Sequence, residues 1–465
     1  MDDYNNIQEE YNNIQTMVGS HINDINLLQR KIKLFMNKMT ILKDELLKIP
    51  EIQNDSFGFV NPLIKKFTKN LSLNIIHLIM KEKILFFSIK HPLSIILLLA
   101  IVVRGLAAVF SQNYGSYLTH PATLDEENFY YVEVPNAWIS RSETPCYDSP
   151  QGISLTFLYL NYLVFGVLRL LGVHNMHWLL LITRIINGLI SLLIITLGYR
   201  ITKIISNKTT ALIVAFMLAF YWFFAVMSVY AMPQIASIPC LLYGTLLIVK
   251  QDYLLKINKI DKLHRTSFFI SGIFFGLGFA LWYQSIIYFI GVIVALLILK
   301  NRKSALMTML GFLLMLLVTQ TVPDQIVWKQ IFAEMNAFFA NNCRLLDNSA
   351  KFTYMYNSVL PFLPLVIIFL FGFFRKFGKN LLITLPTLSY LVICILMPYK
   401  TDLNLATVLP MFFIVGFAEW RNLYEKSNFR AQNRWQMPTL YSIEAIINLS
   451  IIVISMIFNL TFIYD

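Results

Sequence analysis

Charged residues are scarce in this 465-residue chain: Asp, Glu, Lys and Arg make up 14% of it, where a soluble protein carries roughly 25%. That shortage excludes an ordinary soluble surface. Cysteine is scarce too. Cys146, Cys240, Cys343 and Cys394 show no CxxC spacing, so a zinc site is not indicated. The first residues are acidic and polar, with no basic start and no early apolar run. A cleaved signal peptide is therefore not expected, and the first apolar span is expected to act as its own insertion signal. Acidic residues number 26 against 38 Lys and Arg, a formal charge of +12. The excess lies mostly between apolar runs and forms no soluble basic domain. It points to anionic lipid as the partner, and no nucleic acid is expected.

What the chain has in abundance is apolar sequence, 57% of its residues. Runs of about 20 apolar residues recur from Ile95 onward, each long enough to cross a bilayer core of about 30 Å. The spans read as 93–110, 178–199, 209–229, 232–249, 267–283, 285–299, 304–320, 359–374, 380–398, 403–420 and 440–463. Segment 153–172 is apolar as well, and charge decides its placement. If it crossed, the short basic loops 199–208, 250–266, 300–303, 375–379 and 421–438 would all face outside, against the positive-inside rule. It is expected to lie along the outer interface or to re-enter. The fold class expected is all-α: a polytopic transmembrane helical bundle of about eleven spans with a cytoplasmic N-terminus. Residues 92–465 form its membrane domain, with two large outer loops, 111–177 and 321–358, and a short one at 399–402.

Residues 1–91 form a separate cytoplasmic region. Ile7, Tyr11, Ile14, Val18, Ile25, Leu28, Ile32, Phe35, Met39, Leu42 and Leu46 fall at steps of four and three, with His21 in the missing slot and Pro50 as the stop. That heptad stripe fits a coiled coil that self-associates through residues 7–46, or a docking helix. It fits equally an amphipathic helix folded back on the protein or membrane surface.

The candidates for chemistry lie outside. Asp125, Glu126 and Glu127 are three consecutive acids about ten residues past the first span, with Glu133 further on. A carboxylate held there can act as a general base; alternatively Thr123 and Asp125 cap a helix at 126–139. Lys400, in Met397-Pro398-Tyr399-Lys400-Thr401-Asp402, breaks the charge rule on the outer side. It can hold a lipid phosphate, or snorkel and pair with Asp402. Arg184 lies about two turns inside a span, where a charge usually faces the protein interior, to reach a phosphate or to pair with an acid. Loop 321–358 combines Trp328, Tyr354 and Tyr356 with Asn336, Asn341 and Asn342, a mixture suited to carbohydrate. An amphipathic helix at 325–340 explains part of it more simply. Cys146 and Cys343 both fall outside and could pair.

These motifs resemble the GT-C superfamily of membrane glycosyltransferases, and within it the GPI and lipid-linked-oligosaccharide mannosyltransferases (Alg9-like). Asp125, Glu126 and Glu133 stand where that family carries its acidic motif. Tyr147-Asp148-Ser149-Pro150 stands for its Tyr/Trp-Ser-Pro stretch, and Ile182-Thr183-Arg184 for its Arg-containing helix. Tyr399-Lys400-Thr401-Asp402-Leu403-Asn404, with Pro410, stands for its late motif. The similarity covers roughly 95–420. The sequence departs from the pattern at Tyr399 (for His), at Leu403 (for Arg), at Ile153-Ser154-Leu155 (no Arg) and at Tyr283-Gln284 (for Arg-Pro). Lys400, Arg141 and Arg184 would then carry the phosphate load, unless the substrate differs or activity is lost.

The resemblance implies a sugar, mannose by family, moved from a polyprenyl-phosphate donor to a glycan or glycolipid acceptor at the outer membrane face. Asp125 would be the base and Glu126 its assistant. Glu133, Arg184, Tyr399, Lys400 and Asp402 would bind substrate. The chemistry demands no metal and no cofactor. The membrane implied is the inner membrane of a bacterium in preference to the endoplasmic reticulum. A flippase of lipid-linked saccharides would instead show an internal repeat and charged helices near the midplane. A glycan polymerase would rest on basic and His residues of a later loop. A non-catalytic relative would act through its coiled coil.

Overall fold

The computed structural model describes residues 91–110, 131, 133–140, 149–256, 264–344, 365–375, 377–396 and 402–426. All regular structure among them is helical. The heptad stripe at residues 7–46, Asp125, Glu126, Tyr399, Lys400, Cys146 and the expected span 440–463 lie outside the described residues.

The first helix, α1 (Pro92–Phe110), starts on a proline, whose missing N–H costs nothing in a first turn. Its outward stripe of Leu98, Val102, Leu106 and Val109 is exposed, while Ala100, Arg104, Ala107 and Ala108 are buried. Small residues inside and large apolar residues outside is the pattern of a helix facing lipid. A short helix, α2 (Val134–Ser140), and the apolar α3 (Leu155–Leu170) follow. Next come α4 (Met176–Ile205), α5 (Lys208–Phe220), α6 (Trp222–Met227), α7 (Pro233–Lys256), α8 (Arg265–Leu281) and α9 (Ser285–Ile298). Then α10 (Arg302–Leu316) passes through a π-helical turn, Leu317–Thr321, into α11 (Val322–Trp328), and α12 (Ala333–Arg344) follows. The described chain closes with α13 (Leu365–Arg375), α14 (Leu381–Leu396), α15 (Asp402–Ala406) and α16 (Leu409–Lys426). Five helical stretches among the described residues are long and apolar enough to cross a membrane: 92–109, 178–205, 233–255, 302–328 and 377–396.

Three expected elements are reshaped. The span read at 209–229 is two helices, because Tyr221 adopts an extended backbone at φ −59°, ψ 118°. The span at 403–420 is divided between α15 and α16. The helix expected at 325–340 is also two. The span before it runs on to Trp328, where Lys329 takes a left-handed backbone at φ 56°, and α12 starts afresh at Ala333.

Packing is close where glycines permit it. A Cβ at Gly272 of α8 would lie 2.0 Å from the Thr308 carbonyl, and one at Gly311 of α10 would lie 2.0 Å from the Phe269 carbonyl. The two backbones meet at these positions, as small residues allow in membrane helices.

Helix α3 settles against one end of this bundle. Ser154, its N-cap, donates to the Ala280 carbonyl at 2.6 Å. Phe157 packs with Tyr131, Ala231 and Leu281, and Thr156 donates to the Thr319 carbonyl. Further along, Phe165 packs on Leu179 at the start of α4. Ala280, Leu281 and Leu179 sit at helix ends, so α3 runs along one end of the bundle. Its other side, with Leu163, Val167 and Leu170, is exposed.

Candidate active site

The end of the bundle covered by α3 carries a dense polar arrangement around the turn 149–154. Glu334, in the first turn of α12, is fully buried. One of its oxygens, Oε2, accepts three consecutive backbone N–H groups, from Gln151 at 3.1 Å, Gly152 at 2.6 Å and Ile153 at 3.0 Å. A carboxylate held by charge-assisted bonds of this kind is strongly fixed. Asn341, two turns on, donates to the Gln151 carbonyl at 3.2 Å. From the opposite side the Tyr283 hydroxyl donates to the Ile153 carbonyl at 3.1 Å. Gly152 makes the turn possible. Its φ is +85°, and a Cβ there would lie 2.7 Å from the Phe338 Cα.

A second carboxylate lies beside the first. Asp324 of α11 is fully buried, and neither of its oxygens makes a full hydrogen bond. The N–H groups of Ala333 and Glu334, at the N-terminus of α12, are the backbone donors nearest to it. Glu334, Asp324 and Tyr131 all lie within electrostatic reach of the Tyr283 hydroxyl, which also meets the Gln320 side chain. The two stretches expected as outer loops, 111–177 and 321–358, therefore meet here. Tyr131 and the 149–154 turn come from one, Asp324 and Glu334 from the other, and Tyr283 joins them from the turn between α8 and α9. Phe338 backs the cluster, edge-on to Trp282 and Tyr283 at 5.2 and 5.3 Å.

The same α8–α9 turn also bonds to α14. The Trp282 indole donates to the Tyr390 hydroxyl at 3.2 Å, and that hydroxyl donates to the Gln284 side chain at 3.3 Å. Tyr390 lies in the last two turns of α14, whose end at Leu396 is three residues before Tyr399.

The sequence-selected residues fall as follows. Glu133 is exposed just before α2 and two residues from Tyr131. Arg184 is buried, with its guanidinium 4.7 Å from the centre of the Tyr230 ring, a cation–π contact. Asp402 opens α15, a helix whose Asn404, Leu405 and Ala406 are buried. Among the described residues no group of three His, Cys, Asp or Glu side chains is close enough to hold a metal.

Two residues of consequence escaped the sequence reading. Glu334 could be suspected only as an acid in the first turn of a helix; its three partners lie more than 180 positions away. Arg104 is the one charge inside the first span, and that was its visible signal. Its Nε donates to Ser191 at 2.7 Å and its Nη1 to the Ala219 carbonyl at 3.1 Å. That carbonyl belongs to the end of α5, left without its usual helical partner by the break at Tyr221. The arginine thus caps a helix C-terminus inside the membrane domain.

Residues 95–464 match the profile of the Alg9-like mannosyltransferase family. No curated protein sequence matches the chain. Among solved structures, the fold resembles the archaeal oligosaccharyltransferase AglB from Archaeoglobus fulgidus, in complex with an inhibitory peptide and a dolichol-phosphate. The two are 12% identical with a TM-score of 0.52, over 80% of this chain and 56% of that one. It also resembles ArnT from Cupriavidus metallidurans. The apo state is 12% identical, with a TM-score of 0.53 over 75% of this chain and 62% of that one. The form bound to undecaprenyl phosphate is 14% identical, with a TM-score of 0.55 over 73% and 61%. The chain spans about six tenths of the length of these solved chains. The shared architecture is that of GT-C membrane proteins.

Proposed function

Because the chain belongs to the Alg9-like mannosyltransferase family, we propose that it is a membrane glycosyltransferase acting at the end of the bundle where the two outer loops converge. It moves a sugar, mannose by family, from a polyprenyl-phosphate donor to a lipid-linked or surface glycan. The observation that carries this reading is the Glu334 clamp on Gln151, Gly152 and Ile153. It fixes the turn that follows Ser149-Pro150 against α12, on the same side of the bundle as Tyr131. Solved structures of similar fold hold dolichol-phosphate or undecaprenyl phosphate, which supports a polyprenyl phosphate here.

In this mechanism an acceptor hydroxyl attacks the anomeric carbon and gives its proton to Asp125. The bond from that carbon to the phosphate oxygen breaks, and polyprenyl phosphate departs with the electron pair. Lys400 and Tyr399 stabilise the charge on the departing phosphate, with Asp402 and Arg184 also binding substrate. Glu126 assists the base, and the exposed Glu133 binds acceptor hydroxyls. Asp324 and Glu334, both buried, hold the site's walls and do not touch substrate. Residues 7–46 self-associate on the cytoplasmic side of a bacterial inner membrane.

The test is transfer in proteoliposomes, with polyprenyl-phosphate mannose and a lipid-linked glycan extract. Asp125→Asn should lower transfer at least about 100-fold while the protein still inserts and melts as the parent does. Unchanged transfer would sink the assignment of the base. No transfer by the parent from any polyprenyl-phosphate sugar would sink the reaction class.

A further inference from the structure

At the opposite end of the bundle from the candidate active site, the helix ends leave a cavity of about 500 Å³. Its walls come from the last turns of α4 and α7, the end of α9 and the start of the 377–396 helix. Three of these four, 178–205, 233–255 and 377–396, are long and apolar enough to cross a membrane. A cavity framed by the ends of such helices lies at the depth of lipid headgroups. This end also carries the exposed basic residues Lys203, Lys208, Lys250, Lys300 and Arg375, the charge pattern of a surface facing anionic lipid.

The lining is amphipathic. Ile204, Val249, Leu299 and Leu382 form apolar walls, and Ser206, Lys379 and Asn380 form a polar rim. The rim is held in place from behind. Glu419 of α16 is fully buried, and its Oε1 accepts from the Lys379 ammonium at 3.2 Å and from the Asn380 amide at 2.9 Å. An ammonium has three protons. With one on Glu419 and its side chain 49% exposed, Lys379 has donors left for the cavity, as does the second N–H of Asn380. Asp252, which also lines the cavity, disfavours a polyanion.

We propose that this cavity binds a membrane phospholipid that carries a single phosphate. The phosphate lies against Lys379 and Asn380, and the upper acyl chains lie along the apolar wall. Basic pockets between membrane helices on the cytoplasmic side take lipid headgroups in this manner. The site is far from the transfer chemistry, and its proposal does not depend on that reading.

Native mass spectrometry of the full-length protein in detergent tests it, with phosphatidylglycerol, diacylglycerol and inorganic phosphate as probes. Phosphatidylglycerol should remain bound, and diacylglycerol of the same chains should not. A Cβ at Gly378 would meet nothing within 4 Å, so Gly378→Trp can grow into the cavity without disturbing the backbone, and should weaken lipid binding at least about tenfold. Leu299→Trp, from another wall, repeats the block should the first variant misfold. Lys379→Gln should weaken binding about tenfold as well. Lipid retention unchanged in both tryptophan variants would overturn the proposal. So would equal retention of diacylglycerol, or displacement of the lipid by millimolar inorganic phosphate, which would make this a site for soluble anions.

Discussion

Glu334 accepts the backbone N–H of Gly152 at 2.6 Å, across 182 positions of sequence. With the neighbouring bonds from Gln151 and Ile153, that one oxygen joins the 149–154 turn to α12. Glu334→Ala leaves three partly buried N–H groups without an acceptor. Each unsatisfied group costs about 1–3 kcal/mol, so the loss should be on the order of 3 kcal/mol or more, read as a lower melting temperature in detergent. Glu334→Gln keeps an acceptor oxygen and should lose less. If the turn also positions substrate, Glu334→Gln raises the KM for the acceptor more than it lowers the melting temperature, and Glu334→Asp does not restore it.

Gly152→Ala strikes the same turn from the other partner. The positive φ costs an L-residue about 1–2 kcal/mol, and the new Cβ meets the Phe338 backbone at 2.7 and 2.8 Å. That backbone cannot yield without moving α12. The variant should melt below Glu334→Gln in the same assay.

Arg184 and Tyr230 should show direct coupling. The contact at 4.7 Å is buried, and a desolvated cation–π pair contributes on the order of 1–2 kcal/mol. A double-mutant cycle with Arg184→Met and Tyr230→Leu should recover about that coupling in stability. A coupling near zero would place the worth of Arg184 elsewhere.

Arg104→Met removes the cap on Ala219 and the partner of Ser191 while keeping much of the side chain's length. The variant should lose on the order of 1–3 kcal/mol. Hydrogen exchange of the amides around the α5–α6 break should rise, and exchange in α8 and α10 should stay unchanged.

Much of the helical architecture was legible in the chain. The run read as 93–110 is α1 (Pro92–Phe110), and 178–199 begins and fills most of α4 (Met176–Ile205). Apolar length forces a helix in lipid, because no other backbone satisfies its own hydrogen bonds there. Basic loops also told which ends belong together, and the ends lining the 500 Å³ cavity are ones that charge had grouped on one side. The breaks at Tyr221 and between Ala406 and Leu409 were not legible. They fall inside largely apolar sequence, and at Tyr221 the freed Ala219 carbonyl takes its partner, Arg104, from another helix. Of the candidate site, Arg184 was found as a charge at membrane depth, but its partner Tyr230 was not, because a cation–π pair has no sequence spacing.

The sequence by itself determined that this is a helical membrane protein with two long stretches between its apolar runs, 111–177 and 321–358, and an acidic motif on the first. Those properties follow from local composition: apolar length, charge between runs, and motif spacing. Only the tertiary structure decided which groups from the two stretches meet. Glu334 was one acid in a loop of mixed polarity, and Gly152 one glycine after a Ser-Pro. Their bond depends on the close approach of α12 to the 149–154 turn, where Phe338 leaves no room for a side chain. A contact between residues so distant in sequence is set by packing, and packing is a property of the whole bundle.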